Sequence, residues 1–354
     1  MKNGLAELEK KFSLLLFPLI LSTSQSPTQH RFHILLKGFI LSCSVAIVIC
    51  LVYASIQYLK SGSTLHFFYH QLGSAIGIHA IYFAMYLLFA IFILIYFILQ
   101  DWESFSTLKR LLIISWLSLL LLFIVLLASK TILISVFLFI NTFAIFHFST
   151  LRRPIIGLSI LLIINLSLFL LITQFKPVSE RFNDSIHSEL SFINKDTYSP
   201  ITPFTGISIR LAIWNFTINI LIERHAWWLG VGTGGGQQLL DDTYRRKNMY
   251  QGVEGTNDRG YLGYNNHNQY FETLLELGGI GLIYLFVYFF LPAYMSLSNK
   301  NLLHIAFLML FATSCLTESM LCTQKGTVFF ALFQSLFLFQ SRNSSFTNSV
   351  IAPK

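Results

Sequence analysis

The sequence predicts an all-α polytopic membrane protein with about eight or nine transmembrane helices and one large external loop that contains short helices. Three observations carry that expectation. Of 354 residues, 54% are hydrophobic and only 11% charged, whereas a soluble domain has about 25% charged residues. Apolar runs near 20 residues recur along the chain, the length needed to cross a bilayer's hydrocarbon. A single long polar stretch interrupts them, and its core, from Arg210 to Gly281, is rich in Gly and aromatic residues.

The runs fall in order at Ile34–Leu59, Ala75–Leu99, Leu111–Ala128, Thr131–Phe148 and Ile155–Thr173. After the polar stretch come Ile280–Leu297, Leu302–Met320 and Thr327–Phe339. Phe12–Thr23 is short and contains Pro18, so it reads as a tilted or Pro-broken helix, and it lacks the small-residue cleavage pattern of a signal peptide. The expected organisation is transmembrane helices over 1–173, a large loop over 174–270, transmembrane helices over 271–342 and a cytoplasmic tail over 343–354.

The net charge of +8 suggests nucleic acid until its distribution is read. Residues 174–270 hold nine Lys/Arg and nine Asp/Glu, so the entire excess lies among the spans and their short connectors. That is a topology signal and not a nucleic-acid surface. Lys109 and Arg110, Arg152 and Arg153, and Lys300 mark the richer set of connectors, joined by Arg31, Lys37, Arg342 and Lys354. Lys60, Lys130 and Lys325 stand alone in the opposite set. The richer side is cytoplasmic by the positive-inside rule, which turns the 174–270 loop to the periplasm or cell exterior. Cys43, Cys50, Cys315 and Cys322 sit in or beside apolar runs with no CxxC spacing, and read as small packing residues.

Within the loop, Thr205 and Ser208 offer caps for a helix through Ile209–Ile222, and Trp227-Trp228 suit a membrane interface. Asp241–Asn266 is polar, with no helical period, and reads as a loop able to order over a substrate. Arg210, Arg224, Arg245, Arg246 and Arg259 bring planar, permanently charged forks suited to phosphate oxygens. The bland alternative, pairing with adjacent acids, fits Arg245 and Arg246 beside Asp241 and Asp242. Arg210, between Ile209 and Leu211, has no such sequence neighbour.

The run Gly230–Gly236 lacks the context of a nucleotide cradle and reads as a tight turn. The backbone N–H groups around Gly232 and Gly234 can still take an anion. His267 stands in Tyr264-Asn-Asn-His-Asn-Gln-Tyr270, a base for a sugar hydroxyl set among amides, including Asn268, with Tyr264 and Tyr270 able to stack on sugar rings. A structural histidine is the alternative. Glu272 and Glu276, one turn apart, can orient His267, pair with an arginine, or simply open a water-facing helix. Asp241-Asp242 has no spaced partners for a metal, and His187 and His225 are isolated, so no metal or cofactor is expected.

Taken together, Arg210-x-x-x-Trp214, Trp228-Leu-Gly-Val-Gly-Thr-Gly234, His267-Asn-Gln-Tyr270, Leu274-Leu-Glu276-Leu-Gly-Gly-Ile-Gly281 and Leu316-Thr-Glu318 resemble the O-antigen ligase and polymerase superfamily. The resemblance implies an inner-membrane glycosyltransferase that is inverting and metal-independent. It would move a glycan from an undecaprenyl-diphosphate carrier to an acceptor hydroxyl at the periplasmic face. The acceptor would be lipid A-core for a ligase, or another lipid-linked glycan for a repeat-unit polymerase. The resemblance gives Arg210 the diphosphate and His267 the acceptor. Arg224, Arg259, Trp214, Gly232, Gly234, Tyr264, Asn268, Tyr270 and Glu276 complete the expected substrate-binding set. It also implies more spans ahead of Phe12–Thr23, so either a reduced member or a start further upstream is expected. A transporter or flippase is the competing class, against which stand spans nearly free of charge and the absence of a repeat.

Overall fold

The computed structural model describes residues 2–25, 27–150, 154–176, 178–180, 183 and 193–350. Arg152, Arg153, His187 and Lys354, which entered the charge and metal readings above, lie outside the described residues. No strand occurs among the described residues. The chain divides into two compact units, one of residues 29–183 and one that joins residues 1–28 to 184–354.

The second unit begins and ends the chain, and its first elements are α1 (Lys2–Lys11) and α2 (Ser13–Thr23). The unit of residues 29–183 holds α3 (Gln29–Ser61), the short α4 (Tyr69–Gly73), α5 (Ala80–Asp101), α6 (Thr107–Leu127), α7 (Lys130–Thr150) and α8 (Pro154–Gln174). α5 is its centre: Ala84, Leu87, Phe89 and Ile93 are fully buried. The expected start at Ala75 is too early, because residues 74–76 form a 3-10 turn that ends at Gly77 in the left-handed region, φ 60°. Phe83 meets Phe123 of α6 edge-on at 5.5 Å, and Trp116 Nε1 donates to Ser44 Oγ of α3 at 2.7 Å. Asn141 of α7 and Asn165 of α8 exchange amide hydrogen bonds at 3.0 Å in both directions. Polar side chains in apolar helices bond across the helix interface in this way. At the α5–α6 turn, Lys109 lies 3.7 Å over Phe105 and Arg110 5.0 Å over Trp102, cation–π pairs that suit a water–lipid boundary.

The remaining elements are α9 (Gly206–Glu223), α10 (Gly236–Arg246), α11 (Gln269–Ser298), α12 (Leu302–Ser314) and α13 (Gln324–Val350). α2 packs along α13. Phe330 of α13 gathers Phe311 of α12 at 4.4 Å and Phe289 of α11 at 5.4 Å. His304 ties the same three helices, with Nδ1 2.6 Å from Ser296 Oγ and Nε2 2.9 Å from Gln334 Oε1. α10 corrects the reading of Asp241–Asn266 as wholly loop. Its Leu240 and Tyr244 are fully buried against Ile213 and Phe216 of α9, each side chain contributing about 1.5–3 kcal/mol. The helix is only 11 residues long, and its polar outer face hid its period.

Four helical stretches among the described residues are long and apolar enough to cross a membrane: 29–61, 80–104, 107–127 and 269–298. One correction bears on the last helices. α12 stops at Ser314 instead of running to Met320, because the chain leaves the helix where Gln269 N donates to Cys315 O. α11 is not one straight helix, since Gly278 adopts φ 67°, ψ −165°. Tyr270 and Phe286 flank that break sixteen residues apart, about 24 Å in a continuous helix, yet their rings stack at 5.6 Å. The half-helix 269–277 therefore folds back along 279–298, which alone is about 30 Å long.

Candidate active site

The site is built where α9, the loop 264–268, the half-helix 269–277 and the segment 315–322 meet. α9 starts with a capping box, Thr205 and Ser208 each bonding the other's backbone N–H, as the sequence indicates. Its first turn carries half-buried Arg210, whose Nη1 donates to Gly206 O at 2.6 Å. The guanidinium thus sits at the positive end of its own helix, where the dipole adds to its pull on an anion. One turn further along the same stripe, Trp214 Nε1 donates to Asn266 O at 2.8 Å, and the indole stacks on Phe271 at 4.9 Å. Arg210 therefore lies about 6 Å of helix rise from a side chain that grips the residue just before His267.

Asn266 is fully buried and anchors the loop. Its Oδ1 accepts from Thr217 Oγ1 at 2.5 Å, and its N and Nδ2 both donate to Glu272 Oε2, at 3.1 and 3.0 Å. His267 follows in the left-handed region, φ 44°, a conformation uncommon outside glycine. Its N–H donates to Asn265 Oδ1 at 2.9 Å, and its Nδ1 lies 3.2 Å from Glu318 Oε1. The Tyr264 ring meets the imidazole edge-on at 5.5 Å. The Tyr264 carbonyl accepts from Tyr244 Oη at 2.8 Å and Gln237 Nε2 at 3.1 Å. Burial, with Asp241 and Glu272 nearby, pushes the Tyr244 hydroxyl well above its ordinary value, which keeps it a donor.

Glu272 and Glu276 share one face of the half-helix and hold two different loops. Both are buried, so the water-facing reading is corrected. Glu276 Oε1 accepts from Gly234 N at 3.3 Å, Oε2 takes Lys11 Nζ of α1 at 2.8 Å, and its carbonyl accepts from Gly232 N at 3.0 Å. The glycine turn thus already faces a carboxylate of the same chain. Around the break, Val231 N donates to Leu275 O, while Gly279 N and Ile280 N donate to Trp227 O and Trp228 O. The backbone groups freed at Gly278 are satisfied by this strap. A Cβ on Gly230 would lie 2.4 Å from the Glu276 backbone, and one on Gly278 2.3 Å from that of Trp228.

The expected residues are not all brought together. Trp214, Tyr264, His267, Asn268 and Tyr270 are joined along the 264–271 segment by the bonds and ring contacts above, whereas Arg210 lies one turn before Trp214 on α9 with its guanidinium turned back to Gly206 O. Asn268 is nearly buried, its side chain taken by Tyr270 N, Phe271 N and Leu316 O. Tyr270 Oη donates to Ala312 O. These two act as framework. Gly232, Gly234 and Glu276 meet one turn further along the half-helix, where the glycine turn is held. Arg224 caps the opposite end of α9 from Arg210, about 21 Å of helix rise away, and the Arg210 guanidinium turns away from it toward Gly206 O. Arg259 is exposed on the 250–264 loop, beside Asp258, whose carboxylate is held low by the Tyr250 hydroxyl and then by Gly260 N–H. Arg245 pairs with Asp242 at 3.1 Å, the bland alternative. Neither Lys11 nor the use of Gln269 as a clamp follows from local sequence, because both partners are distant in the chain.

A family model described as O-Antigen ligase matches residues 113–286. No match to a curated protein is found.

Proposed function

The chain belongs to the O-antigen ligase superfamily and is a membrane protein of glycosyltransferase type, and from that premise we propose that it moves a glycan from an undecaprenyl-diphosphate carrier to an acceptor hydroxyl. Arg210 binds the diphosphate and His267 serves the acceptor. The observation that carries the reading is the link from the Arg210–Trp214 stripe through Asn266 to His267. It supports a cation carried on the helix whose next turn grips the loop of the base. As the new glycosidic bond forms, the acceptor proton passes to the imidazole. The bond from the anomeric carbon to diphosphate breaks, and a fixed guanidinium stabilises the charge that leaves. Attack from the face opposite the diphosphate inverts the anomeric centre, and no metal is needed in this scheme.

We place the site at the periplasmic face of the inner membrane, from the distribution of basic connectors. The exposed tip Trp227-Trp228-Leu229 suits contact with headgroups. The acceptor we favour is lipid A-core. A repeat-unit polymerase uses the same groups on a lipid-linked acceptor. In cells, Arg210→Ala and His267→Ala are each expected to abolish surface glycan while the protein still inserts. Lipid-linked polymer retained without long chains on lipid A identifies a ligase; single repeat units identify a polymerase. Normal surface glycan in either variant rejects the role given to that residue.

A further inference from the structure

We propose that Glu318 is the positioning residue for His267, an inference that rests on His267 being the base. A carboxylate only accepts hydrogen bonds, so Glu318 Oε1 at 3.2 Å from Nδ1 keeps the ring proton on Nδ1. That leaves Nε2 with its lone pair for the acceptor hydroxyl. The carboxylate is largely sheltered, its side chain 13% exposed, while the imidazole keeps 27% exposure, open to a substrate.

The geometry is built rather than incidental. Glu318 lies in the connector between α12 and α13, just before the 3-10 turn Met320–Cys322, and the two residues that follow His267 clamp that connector on both sides. Asn268 Nδ2 donates to Leu316 O at 3.0 Å, Gln269 N donates to Cys315 O at 2.8 Å, and Leu321 N donates to Gln269 Oε1 at 2.7 Å. Base and carboxylate therefore stand on one frame. His267's backbone is fixed independently by Asn265. This gives the amides around the histidine a task other than sugar binding.

In the transfer step, the acceptor oxygen forms its bond to the anomeric carbon and its proton moves to Nε2. The carbon–oxygen bond to diphosphate breaks, and diphosphate leaves with the electron pair. The imidazolium formed is neutralised by Glu318 without any motion of the carboxylate.

The test uses the full chain in lipid nanodiscs with an undecaprenyl-diphosphate-linked glycan as donor and lipid A-core as acceptor. Glu318→Gln is expected to lower kcat roughly 10- to 1,000-fold, less than loss of the base itself, with the donor KM little changed. Glu318→Asp, which keeps the charge, recovers part of the loss. His267→Ala/Glu318→Gln is no slower than His267→Ala, because the carboxylate acts only through the ring. Nitrogen-15 spectra of the histidine show Nδ1 protonated in the native chain and a mixture of tautomers in Glu318→Gln. Native kcat in Glu318→Gln, or losses that multiply in the double variant, would overturn the assignment while leaving His267 as base. Native activity in His267→Ala would remove the base reading itself.

Discussion

The residue that explains most about the site's framework is Glu276. Its two carboxylate oxygens join elements far apart in the chain, the glycine turn through Gly234 and the first helix through Lys11. The pair is mostly withdrawn from water, with side-chain exposures of 21% for Lys11 and 6% for Glu276. Removing one partner of such a pair leaves a buried charge, which costs more than the pair's own net worth. Lys11→Met is therefore expected to destabilise the protein by about 2–4 kcal/mol. Lys11→Met/Glu276→Gln should regain part of that, since the amide oxygen can still accept from Gly234. Thermal unfolding in detergent reads both; a double variant weaker than the single would contradict this account of Glu276.

At the scale of elements, the broken helix matters most. Gly278 sits where only glycine is at ease, and the Trp228 backbone occupies the space a Cβ would need. Gly278→Ala should cost about 1–3 kcal/mol from strain alone and displace the 227–232 strap from the half-helix. Gly38→Ala in α3 is the control, because nothing lies within 4 Å of its Cβ position, and it should leave the unfolding temperature unchanged or slightly raised. Equal effects from the two would show that the break does not depend on Gly278. The sequence made part of this legible. The capping box at Thr205 and the apolar run from Ile280 follow from local chemistry and period, and both are present. What it hid was reversal and distance. Gly278-Gly279 stands only as part of a motif, and the Tyr270–Phe286 stack reveals that the chain doubles back there. The helical nature of Gly236–Arg246 was masked by a polar face, and the early end of α12 is set by Gln269, 46 residues away in sequence.

For the whole molecule, polar chemistry is concentrated in one place within an apolar protein. Two carboxylates on one helical face hold the loops, a third meets the histidine, and an arginine stands one turn from the indole that anchors them. The contact of Tyr264 with His267 was legible because both stand in one short polar run, Tyr264 to Tyr270. The separation of Arg210 from Arg224 also follows from the helix expected over Ile209–Ile222, which has the two at opposite ends. The most direct measurement is donor binding and glycan transfer side by side on purified His267→Ala, with Arg210→Ala as companion. The account predicts that His267→Ala still binds the undecaprenyl-diphosphate glycan but transfers it at least about 100-fold more slowly, whereas Arg210→Ala loses binding and transfer together. Transfer at the native rate by His267→Ala would contradict it.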